Sequence, residues 1–399
     1  MAESVNSSLN NEDILAVLRG VIDPELGSDI VDLGMVRTAT VDDKGLVSIT
    51  IALTTAGCPL KAQIKKDVES RLRSQPGVTK IDISWDEMTS EEKTACMAKA
   101  RWNARGTMST TIGATTKVVA IASGKGGVGK SSLTVNLAVA LAERGMTIGV
   151  LDADIGGFSI PRMLNMVGQL EAAEDQDGKR RIVPHRKSIG AGVLEVVSMG
   201  FLVENEDSAL LWRGQMLNRA VQHFLEDVQW AELDYLFIDL PPGTGDIQMG
   251  IARILPQTEM IIITTPPVGA QMIAARAGDL ARKTYLRVAG VIENMSAFIC
   301  EHGTSYALFG TGGGEALSRE LGVPLLGQVP LDASVAAAGD SGLPAVLGSG
   351  PAADAYKAIA ERIVTEAIPP IELASCTAHL LEHLEEALGP VPSRDSATG

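Results

Sequence analysis

A glycine-rich loop with two lysines, within residues 121–145, carries the clearest chemical pattern of this sequence. Gly124, Gly129, Lys130 and Ser131 satisfy G-x-x-x-x-G-K-[ST], with an apolar strand before the loop and an apolar helix after it. Backbone N–H groups of such a loop bind phosphate oxygens, the second lysine binds the β- and γ-phosphates, and the serine hydroxyl ligates Mg²⁺. The pattern therefore predicts a nucleoside triphosphate site, with a ligand-free strand–helix turn as the alternative.

Acidic residues end two further apolar strands. In LDYLFIDLPPGTGD, four apolar residues lead into Asp239, as in a Walker B strand whose aspartate helps to hold Mg²⁺. In VLDADIGG, Asp152 and Asp154 follow another strand. One of them is expected to orient the attacking water and the other to contact Mg²⁺ through water. Turn formation is the alternative role for this pair.

The first lysine of the loop, Lys125, needs its own explanation, because its charge repels Lys130 unless a second phosphate group balances it. The segment GKGGVGKSS resembles the deviant Walker A loop, K-G-G-x-G-K-[ST], of the ATPase class that contains MinD, ParA and the nitrogenase iron protein. This resemblance implies that Lys125 reaches the nucleotide of a second subunit, so that hydrolysis requires a homodimer with ATP between the protomers. The loop residues that it assigns to the nucleotide are Gly124, Lys125, Gly126, Gly127, Val128, Gly129, Lys130, Ser131 and Ser132.

Motifs throughout residues 117–368 resemble one branch of this class, the Mrp/ApbC-type iron–sulfur cluster carriers. In chain order they are DADIGGFSIPRML, LLWRGQM, FIDLPPGTGD, TTPPVGAQ, GVIENMSAFIC and FGTGGG followed by VPLLGQVPLD. The resemblance implies an ATPase that binds a cluster, expected to be [4Fe–4S], and transfers it to apoproteins together with assembly factors. It implies Lys125, Lys130, Asp154 and Asp239 as catalytic residues, with Asp154 orienting the water. It also implies an adenine contact at Asn294.

The sequence departs from this family at the cluster site. Mrp-type carriers commonly have C-x-x-C after the ENMS segment, so that two subunits together offer four thiolates. Here Cys300 is followed by Glu301, His302 and Gly303, and the second cysteine is missing. Cys300 is therefore predicted as a cluster ligand with three alternatives: His302 adds an imidazole, the cysteine is an inherited remnant, or it is a small apolar residue.

Cys58 is the competing cluster ligand. It lies in LTTAGCPL, which, with DPELGSDIVDLGMV, resembles the small iron–sulfur-assembly domain often fused ahead of these ATPases. The turn precedes an amphipathic helix whose N-terminus, together with Lys61, favours a thiolate. A packed and unreactive cysteine is the alternative.

The elements that must position these residues change character along the chain. Short apolar runs alternating with helices predict an α/β domain with a parallel sheet flanked by helices, a P-loop NTPase, preceded by a small α+β domain. The predicted strands of the large sheet are KVVAIAS, TIGVLDAD, LEVVSMGF, YLFIDLP, MIIITTP, VAGVIENM and LLGQVP. The predicted divisions are the small domain at 1–95, a helix end and linker at 96–116, the ATPase domain at 117–369 and a helix with a polar tail at 370–399.

Composition limits the partners. The chain has 399 residues, 45% of them hydrophobic, and a net charge of −15, which disfavours general binding to nucleic acid or to anionic membranes. Aromatic residues make up only 4%, too few for a platform that stacks single-stranded bases. Four widely separated cysteines, with neither a secretory signal nor an apolar membrane-spanning run, predict a cytoplasmic protein.

Two other functions remain open at this level. A positioning ATPase like MinD or ParA would cycle on a membrane or on DNA, against which stand the acidic charge and the N-terminal domain. A regulatory ATPase that has lost its cluster is favoured by the missing cysteine.

Overall fold

The computed structural model describes residues 9–370 except for 25, 27, 55–59, 106–109, 114, 155–156, 176–177, 203–213, 244 and 301. Cys58 and the predicted C-terminal helix at 370–399, apart from its first residue, lie outside the described residues. No described helix combines the length and the apolar character needed to span a bilayer.

The N-terminal part forms a three-stranded sheet packed on helices. Its elements are α1 (Asn11–Leu18), β1 (Ile22–Asp23), β2 (Ser28–Asp29), β3 (Val36–Val41), β4 (Leu46–Leu53), α2 (Lys61–Arg73), β5 (Lys80–Glu87) and α3 (Ser90–Arg105). Strand β4 pairs antiparallel with β3 and parallel with β5, and α2 crosses between the parallel pair. Apolar residues of β4, α1 and α2 form its core, which α3 extends through Cys96 and Ala100.

The remaining chain builds one large sheet covered by helices. The elements up to its middle are β6 (Lys117–Ser123), α4 (Lys130–Glu143), β7 (Thr147–Asp152), α5 (Ile160–Met163), β8 (Glu171–Glu174), β9 (Arg180–Val183), β10 (His185–Ile189), β11 (Gly192–Ser198) and α6 (Gly214–Glu226). Those that follow are β12 (Tyr235–Asp239), α7 (Asp246–Ile254), β13 (Glu259–Thr264), α8 (Val268–Lys283), β14 (Arg287–Ile299), β15 (Ser305–Tyr306), α9 (Gly313–Leu321), β16 (Leu325–Leu331), α10 (Ala333–Ser341) and α11 (Pro351–Arg362).

Seven of these strands form a parallel sheet in the order β11-β7-β12-β6-β13-β14-β16. Helices cover both faces of this sheet. Because successive side chains of a strand point to opposite faces, both sets of side chains are buried. In β6, Val119 and Ile121 join the core that packs on α4 and α11, whereas Val118, Ala120 and Ala122 join the core on α6, α7 and α8. This explains why the strands appear in the sequence as continuous apolar runs.

All seven predicted strands are present, and the α/β class with a small α+β domain is confirmed. The sheet is nevertheless mixed, since β10 pairs antiparallel with β11 and β15 pairs antiparallel with β14. These two strands were missed because edge strands need no continuous apolar run: β10 reads HRKSI, and β15 has only two residues.

The small domain contacts the sheet near the amino ends of its strands. The guanidinium of Arg71, which is buried, donates from Nη2 to the carbonyl oxygen of Gln257 at 2.7 Å, just before β13. The hydroxyl of Tyr285, just before β14, donates to Asp13 Oδ1 at 2.7 Å. The small domain therefore does not cover the carboxyl ends of these strands, which lie at the opposite edge of the sheet beside the phosphate loop. The predicted domain boundaries remain a proposal.

Candidate nucleotide site and cysteine hairpin

The glycine loop joins the carboxyl end of β6 to the first residue of α4. Gly127 and Gly129 have φ of +77° and +80°, a left-handed conformation that side-chain-bearing residues rarely adopt. Gly124 is required for another reason: a Cβ there would lie 2.4 Å from the backbone nitrogen of Ala274 in α8. The glycine spacing thus produces a tight loop that turns its backbone toward a cavity at the start of α4.

Three donors converge on the carboxylate of Asp239. Lys130 Nζ lies 2.7 Å from Asp239 Oδ1, and the Ser131 hydroxyl lies 2.5 Å from Oδ2. The Thr134 hydroxyl, one helical turn further along α4, donates to Oδ1 at 3.1 Å. Lys130 and Asp239 are almost completely buried, so this charge pair is shielded from water. The sequence identified Lys130, Ser131 and Asp239 but missed Thr134, whose position four residues after Lys130 was the available signal.

The oxygen donors at this position suit Mg²⁺. Magnesium prefers hydroxyl, carboxylate and phosphate oxygens, usually with one or two protein carboxylates. The Ser131 hydroxyl and the Asp239 carboxylate supply such a pair next to the phosphate loop. This donor set fits the predicted metal.

The structure separates the two aspartates that the sequence left equivalent. Asp152 is fully buried; its carboxylate accepts the backbone N–H of Asp154 at 3.2 Å and the hydroxyl of Ser198 at 3.0 Å. Asp154 is partly exposed, lines the phosphate cavity and lies 3.6 Å from Lys130 Nζ. Asp154 is therefore the carboxylate that a ligand can reach, and Asp152 positions its backbone.

Burial alters the ionisation of both aspartates. Desolvation, followed by the charge of Asp239, raises the pKa of Asp152 to about 8. Desolvation also raises the pKa of Asp154, although Lys130 partly opposes this effect. Strands β12 and β7 are neighbours in the sheet, and their pairing places Asp239 directly opposite Asp152. This explains why the two carboxylates interact.

Lys125 differs from Lys130 in its exposure. Its backbone is held by the Ser123 hydroxyl, which donates to the Lys125 carbonyl oxygen at 3.1 Å, while the residue itself is exposed at the rim of the phosphate cavity. The cavity has a volume of about 230 Å³ and is lined by Ser123, residues 125–132, Asp154 and Pro242 among others. One lysine thus lies inside the cavity and the other faces outward.

A second cavity, of about 260 Å³, adjoins the loop on the side of β14 and β16. Asn294, Asp332, Tyr356 and Ser132 line it. The Asn294 side chain donates from Nδ2 to the carbonyl oxygen of Val128 at 2.9 Å, so the predicted adenine contact also holds the phosphate loop. The sequence missed Asp332 and Tyr356, because their places depend on β16 and α11 meeting beside β14.

Cys300 lies at the turn that joins β14 to β15, and it forms no disulfide with the other described cysteine, Cys96. Here we define the cysteine hairpin as residues 298–300 and 302–309, since residue 301 lies outside the described residues. Backbone N–H groups of His302 and then Thr304 lower the pKa of the Cys300 thiol, and the residue is partly exposed. Gly303 has φ of +79°, so the turn favours glycine where the family pattern has its second cysteine.

Large apolar side chains precede and follow Cys300 along the hairpin. Phe298, Ile299, Tyr306, Leu308 and Phe309 are all exposed by 36% or more. In the part of the chain that the structure describes, no group of three His, Cys, Asp or Glu side chains is arranged to hold a metal ion. The described residues of one chain therefore do not supply all the ligands of an iron–sulfur cluster at the cysteine hairpin.

Of the other cysteines, the structure describes Cys96. Cys96 is buried in the small-domain core, as expected for a structural residue. Cys58, the second predicted cluster ligand, lies outside the described residues. Lys61, expected to favour its thiolate, has its ammonium 5.1 Å from the centroid of the Trp85 ring.

Comparison with known protein families identifies the family that shares this site. Residues 114–364 match the model of the NUBPL iron-transfer P-loop NTPases, and residues 11–83 match the iron–sulfur cluster assembly protein model. The chain belongs to the NUBPL-type iron-transfer P-loop NTPases. In this member of the family, the matched segments include the complete phosphate loop, both acidic strand ends and the cysteine hairpin.

Two relatives of this NUBPL-type NTPase, found by sequence, support the assignment. A protein of Mycobacterium leprae named iron-sulfur cluster carrier protein is 43% identical over 347 residues, covering 84% of this chain and 87% of that protein. One of the same name from Synechocystis is 39% identical, covering 89% and 97%. A solved nucleotide-binding protein of Archaeoglobus fulgidus in complex with ADP is 32% identical and covers 57% of this chain and 86% of its own, with a TM-score of 0.48.

Proposed function

We propose that this protein is a Mg²⁺-dependent ATPase that acts as a homodimer and carries iron–sulfur clusters to apoproteins. The observation that carries the proposal is the convergence of Lys130 and Ser131 on Asp239 inside a glycine loop with left-handed Gly127 and Gly129. Family membership and relatives named as cluster carriers support the cargo.

In the proposed reaction, Lys130 and the loop N–H groups bind the β- and γ-phosphates. Mg²⁺, held by Ser131 and Asp239, would neutralise charge on the phosphate oxygens. Asp154 orients the attacking water, because it is the aspartate on the cavity and its raised pKa makes it a better hydrogen-bond acceptor. Asp152 keeps Asp154 in place through the backbone N–H that it accepts.

The homodimer is supported by what surrounds the loop. Lys125 is exposed at the cavity rim, where it can reach a phosphate of a second copy. Met249, Val268 and Met272, on the two helices that follow β12 and β13, are exposed by more than half. Exposed apolar side chains next to a catalytic cavity favour a surface that is covered in the working state.

The identity of the residues that bind the cluster is still a prediction. Cys300 supplies one thiolate per chain in a turn whose N–H groups stabilise it, so a dimer would bring two together. Cys58 supplies the alternative or additional thiolate from the N-terminal domain. A [4Fe–4S] cargo requires four ligands, so both sites or an external thiol must contribute.

Nucleotide binding and the role of Lys125 are tested together. Calorimetry should show Mg²⁺-dependent ATP binding by the wild type, and mass photometry should show dimers with a slowly hydrolysed ATP analogue. Lys125→Ala should slow hydrolysis at least about tenfold and weaken the dimer, while ATP still binds the monomer. Lys283→Ala, an exposed lysine on α8, is the matched control and should behave as wild type. Unchanged turnover and dimerisation in Lys125→Ala would refute the action in trans.

Anaerobic reconstitution with iron and sulfide tests the cargo. The wild type should gain visible absorbance and transfer its iron to an apoferredoxin. Loss of absorbance in Cys300→Ala alone locates the cluster at the cysteine hairpin, loss in Cys58→Ala alone locates it in the N-terminal domain, and loss in both variants indicates that the two cysteines share it. Cys96→Ala is the control, because this cysteine is buried. A colourless wild type under all conditions contradicts the carrier function.

A regulatory ATPase without a cluster is the second candidate. The left-handed Gly303 favours it, since the turn does not accommodate the second cysteine of the family without strain. ATP-dependent pelleting with liposomes or DNA would instead indicate a positioning ATPase and would contradict the predicted lack of membrane and nucleic-acid partners. A cytoplasmic location likewise remains a proposal.

A further inference from the structure

The last residues of three neighbouring strands form a polar row across the sheet. Strands β11, β7 and β12 are adjacent and end at Ser198, Asp152 and Asp239, respectively. The pairing places Ser198 beside Asp152 in one pair of strands and Asp239 beside Asp152 in the other. Asp239 accepts from Lys130, and Asp152 accepts the backbone N–H of Asp154. Ser198 is the member of the row whose contribution to the site is still to be explained.

Ser198 connects a backbone turn to the Asp152 carboxyl group. Its hydroxyl lies 3.0 Å from Asp152 Oδ2, and its Oγ accepts the backbone N–H of Gly200 at 3.0 Å. Because Ser198 and Asp152 are both fully buried, bulk water does not replace this contact when the hydroxyl is removed. A hydroxyl both donates and accepts, so the contact does not depend on whether the carboxyl group carries a proton.

The other oxygen of the same carboxyl group leads to the phosphate cavity. Asp152 Oδ1 accepts the backbone N–H of Asp154 at 3.2 Å, and Asp154 lines the cavity. The contact of Oδ2 with Ser198 fixes the carboxyl plane from the side of β11. Without it, rotation about χ2 of Asp152, which is a soft torsion, would carry Oδ1 away from the Asp154 N–H. The backbone position of Asp154 therefore depends on Ser198.

The turn after β11 also packs on residues that follow Asp154. Gly200 lies in this 3₁₀ turn, and a Cβ there would lie 2.7 Å from Phe158 Cδ2 and 3.1 Å from Pro161 Cγ. The end of β11 thus supports the chain on both sides of Asp154, through the polar row before it and through close packing after it.

We propose that Ser198 is a positioning residue for ATP hydrolysis, which acts through Asp152 to hold Asp154 at the phosphate cavity. The inference rests on the proposed function, in which Asp154 orients the attacking water. Among the described residues, those that line the phosphate cavity do not include Ser198, which is buried behind Asp152. Its loss should therefore slow the chemical step without weakening nucleotide binding.

Hydrolysis and affinity are measured on the same preparations, by single-turnover kinetics and by calorimetry with a slowly hydrolysed ATP analogue and Mg²⁺. In Ser198→Ala, the rate should fall at least about fivefold, whereas the affinity should stay within about twofold of wild type. Thr116→Val is the matched control. It removes a buried hydroxyl that donates to the Leu233 carbonyl oxygen at 2.9 Å, at the amino edge of the sheet, and should leave both quantities unchanged.

Two conservative variants test the hydroxyl itself. Ser198→Thr keeps the hydroxyl and should retain most of the wild-type rate. Ser198→Cys places a weak donor in a similar volume and should give a rate between those of wild type and Ser198→Ala. This order of rates tests the inference even if Ser198→Ala does not fold, because a Ser198→Cys protein with the full wild-type rate would contradict it.

Hydrogen exchange of the Asp154 amide tests the positioning without hydrolysis. Mass spectrometry with electron-transfer fragmentation measures this amide in nucleotide-free protein. Ser198→Ala should speed its exchange at least about fivefold, because the acceptor Asp152 Oδ1 is no longer fixed. Asp152→Ala removes the acceptor and should also speed the exchange. Adding Ser198→Ala to Asp152→Ala should then change the exchange by less than about twofold, since Ser198 acts through Asp152.

The outcomes distinguish this inference from the proposed function. If the wild type neither binds nor hydrolyses ATP, the proposed function fails and the inference fails with it. If the wild type is active, a Ser198→Ala protein with the wild-type rate or with unchanged exchange of the Asp154 amide overturns the inference alone. Weaker affinity with an unchanged rate of the bound complex would assign Ser198 to nucleotide binding and would also overturn it.

Discussion

The phosphate loop and the cysteine hairpin lie at the same edge of the sheet but differ in the polarity and burial of their side chains. Around the loop, buried charges satisfy one another: Asp239 accepts from Lys130, Ser131 and Thr134. Around the hairpin, large apolar side chains lie exposed and Cys300 is partly exposed. The difference indicates that the nucleotide site is preorganised within one chain, whereas the hairpin presents an apolar surface that the proposed homodimer would cover.

The largest effect that this comparison predicts is a pH dependence of stability on the loop side. Burial keeps a proton on Asp152 up to a pKa of about 8, while the unfolded chain releases it near its ordinary value of about 4. The folded state then binds more protons, so this group lowers the free energy of unfolding as pH rises from about 4 to about 8. Relative to wild type, Asp152→Asn should therefore gain stability, on the order of a few kcal/mol, as pH rises through that window.

Urea unfolding of nucleotide-free protein at several pH values measures this difference. The nearby Asp154 remains in both proteins, so its own raised pKa largely cancels in the comparison. Asp340→Asn, on α10, is the control and should parallel the wild type. A constant difference between Asp152→Asn and wild type at all pH values would contradict a buried, protonated carboxyl group.

The second prediction concerns the buried cation. Lys130→Ala should lower the affinity for Mg-ADP at least about 100-fold, about 3 kcal/mol, because it removes a phosphate ligand and leaves Asp239 without its ion-pair partner. Calorimetry measures the affinity, with Lys283→Ala as the control. An affinity within a few fold of wild type would mean that the loop does not bind phosphate as proposed.

The third prediction distinguishes the contribution of Mg²⁺ to ATP affinity from that of the nucleotide itself. In Asp239→Asn, the gain in ATP affinity on adding Mg²⁺ should fall at least about tenfold, about 1.4 kcal/mol, since an amide supplies no negative charge to the ion. Titrations with ATP in EDTA provide the reference, where the variant should lose less. Equal Mg²⁺ dependence in variant and wild type would exclude Asp239 from the metal site.

The smallest effect should come from the hairpin. Leu308→Ser, at an exposed position, should change the free energy of unfolding of the monomer by less than about 0.5 kcal/mol, whereas the matched Leu326→Ser in the core should cost about 3 kcal/mol. Chemical denaturation measures both. If Leu308→Ser destabilises the monomer as much as Leu326→Ser, the hairpin is part of the core and the contrast between the two regions is wrong.

Much of the loop side was predictable because its signals are local. Gly124, Gly129, Lys130 and Ser131 are consecutive or nearly so, and Asp239 ends a continuous apolar strand, so spacing and periodicity identify them. Thr134, Ser198, Asp332 and Tyr356 were missed. Thr134 lies one turn after Lys130 on the same helix, so its spacing was a local signal. Ser198, Asp332 and Tyr356 reach the site only because separate helices and strands meet there, and no local pattern distinguishes them from ordinary polar or aromatic residues.

By itself, the sequence determined the parallel order of strand and helix, the glycine conformations of the loop and the absence of a second cysteine at Gly303, because backbone preference and side-chain identity are local properties. Only the tertiary structure decided which aspartate faces the cavity, which lysine faces outward and which residue of β11 contacts Asp152. Those outcomes depend on burial and on contacts between residues far apart in the chain, which arise only when the sheet and its helices pack together.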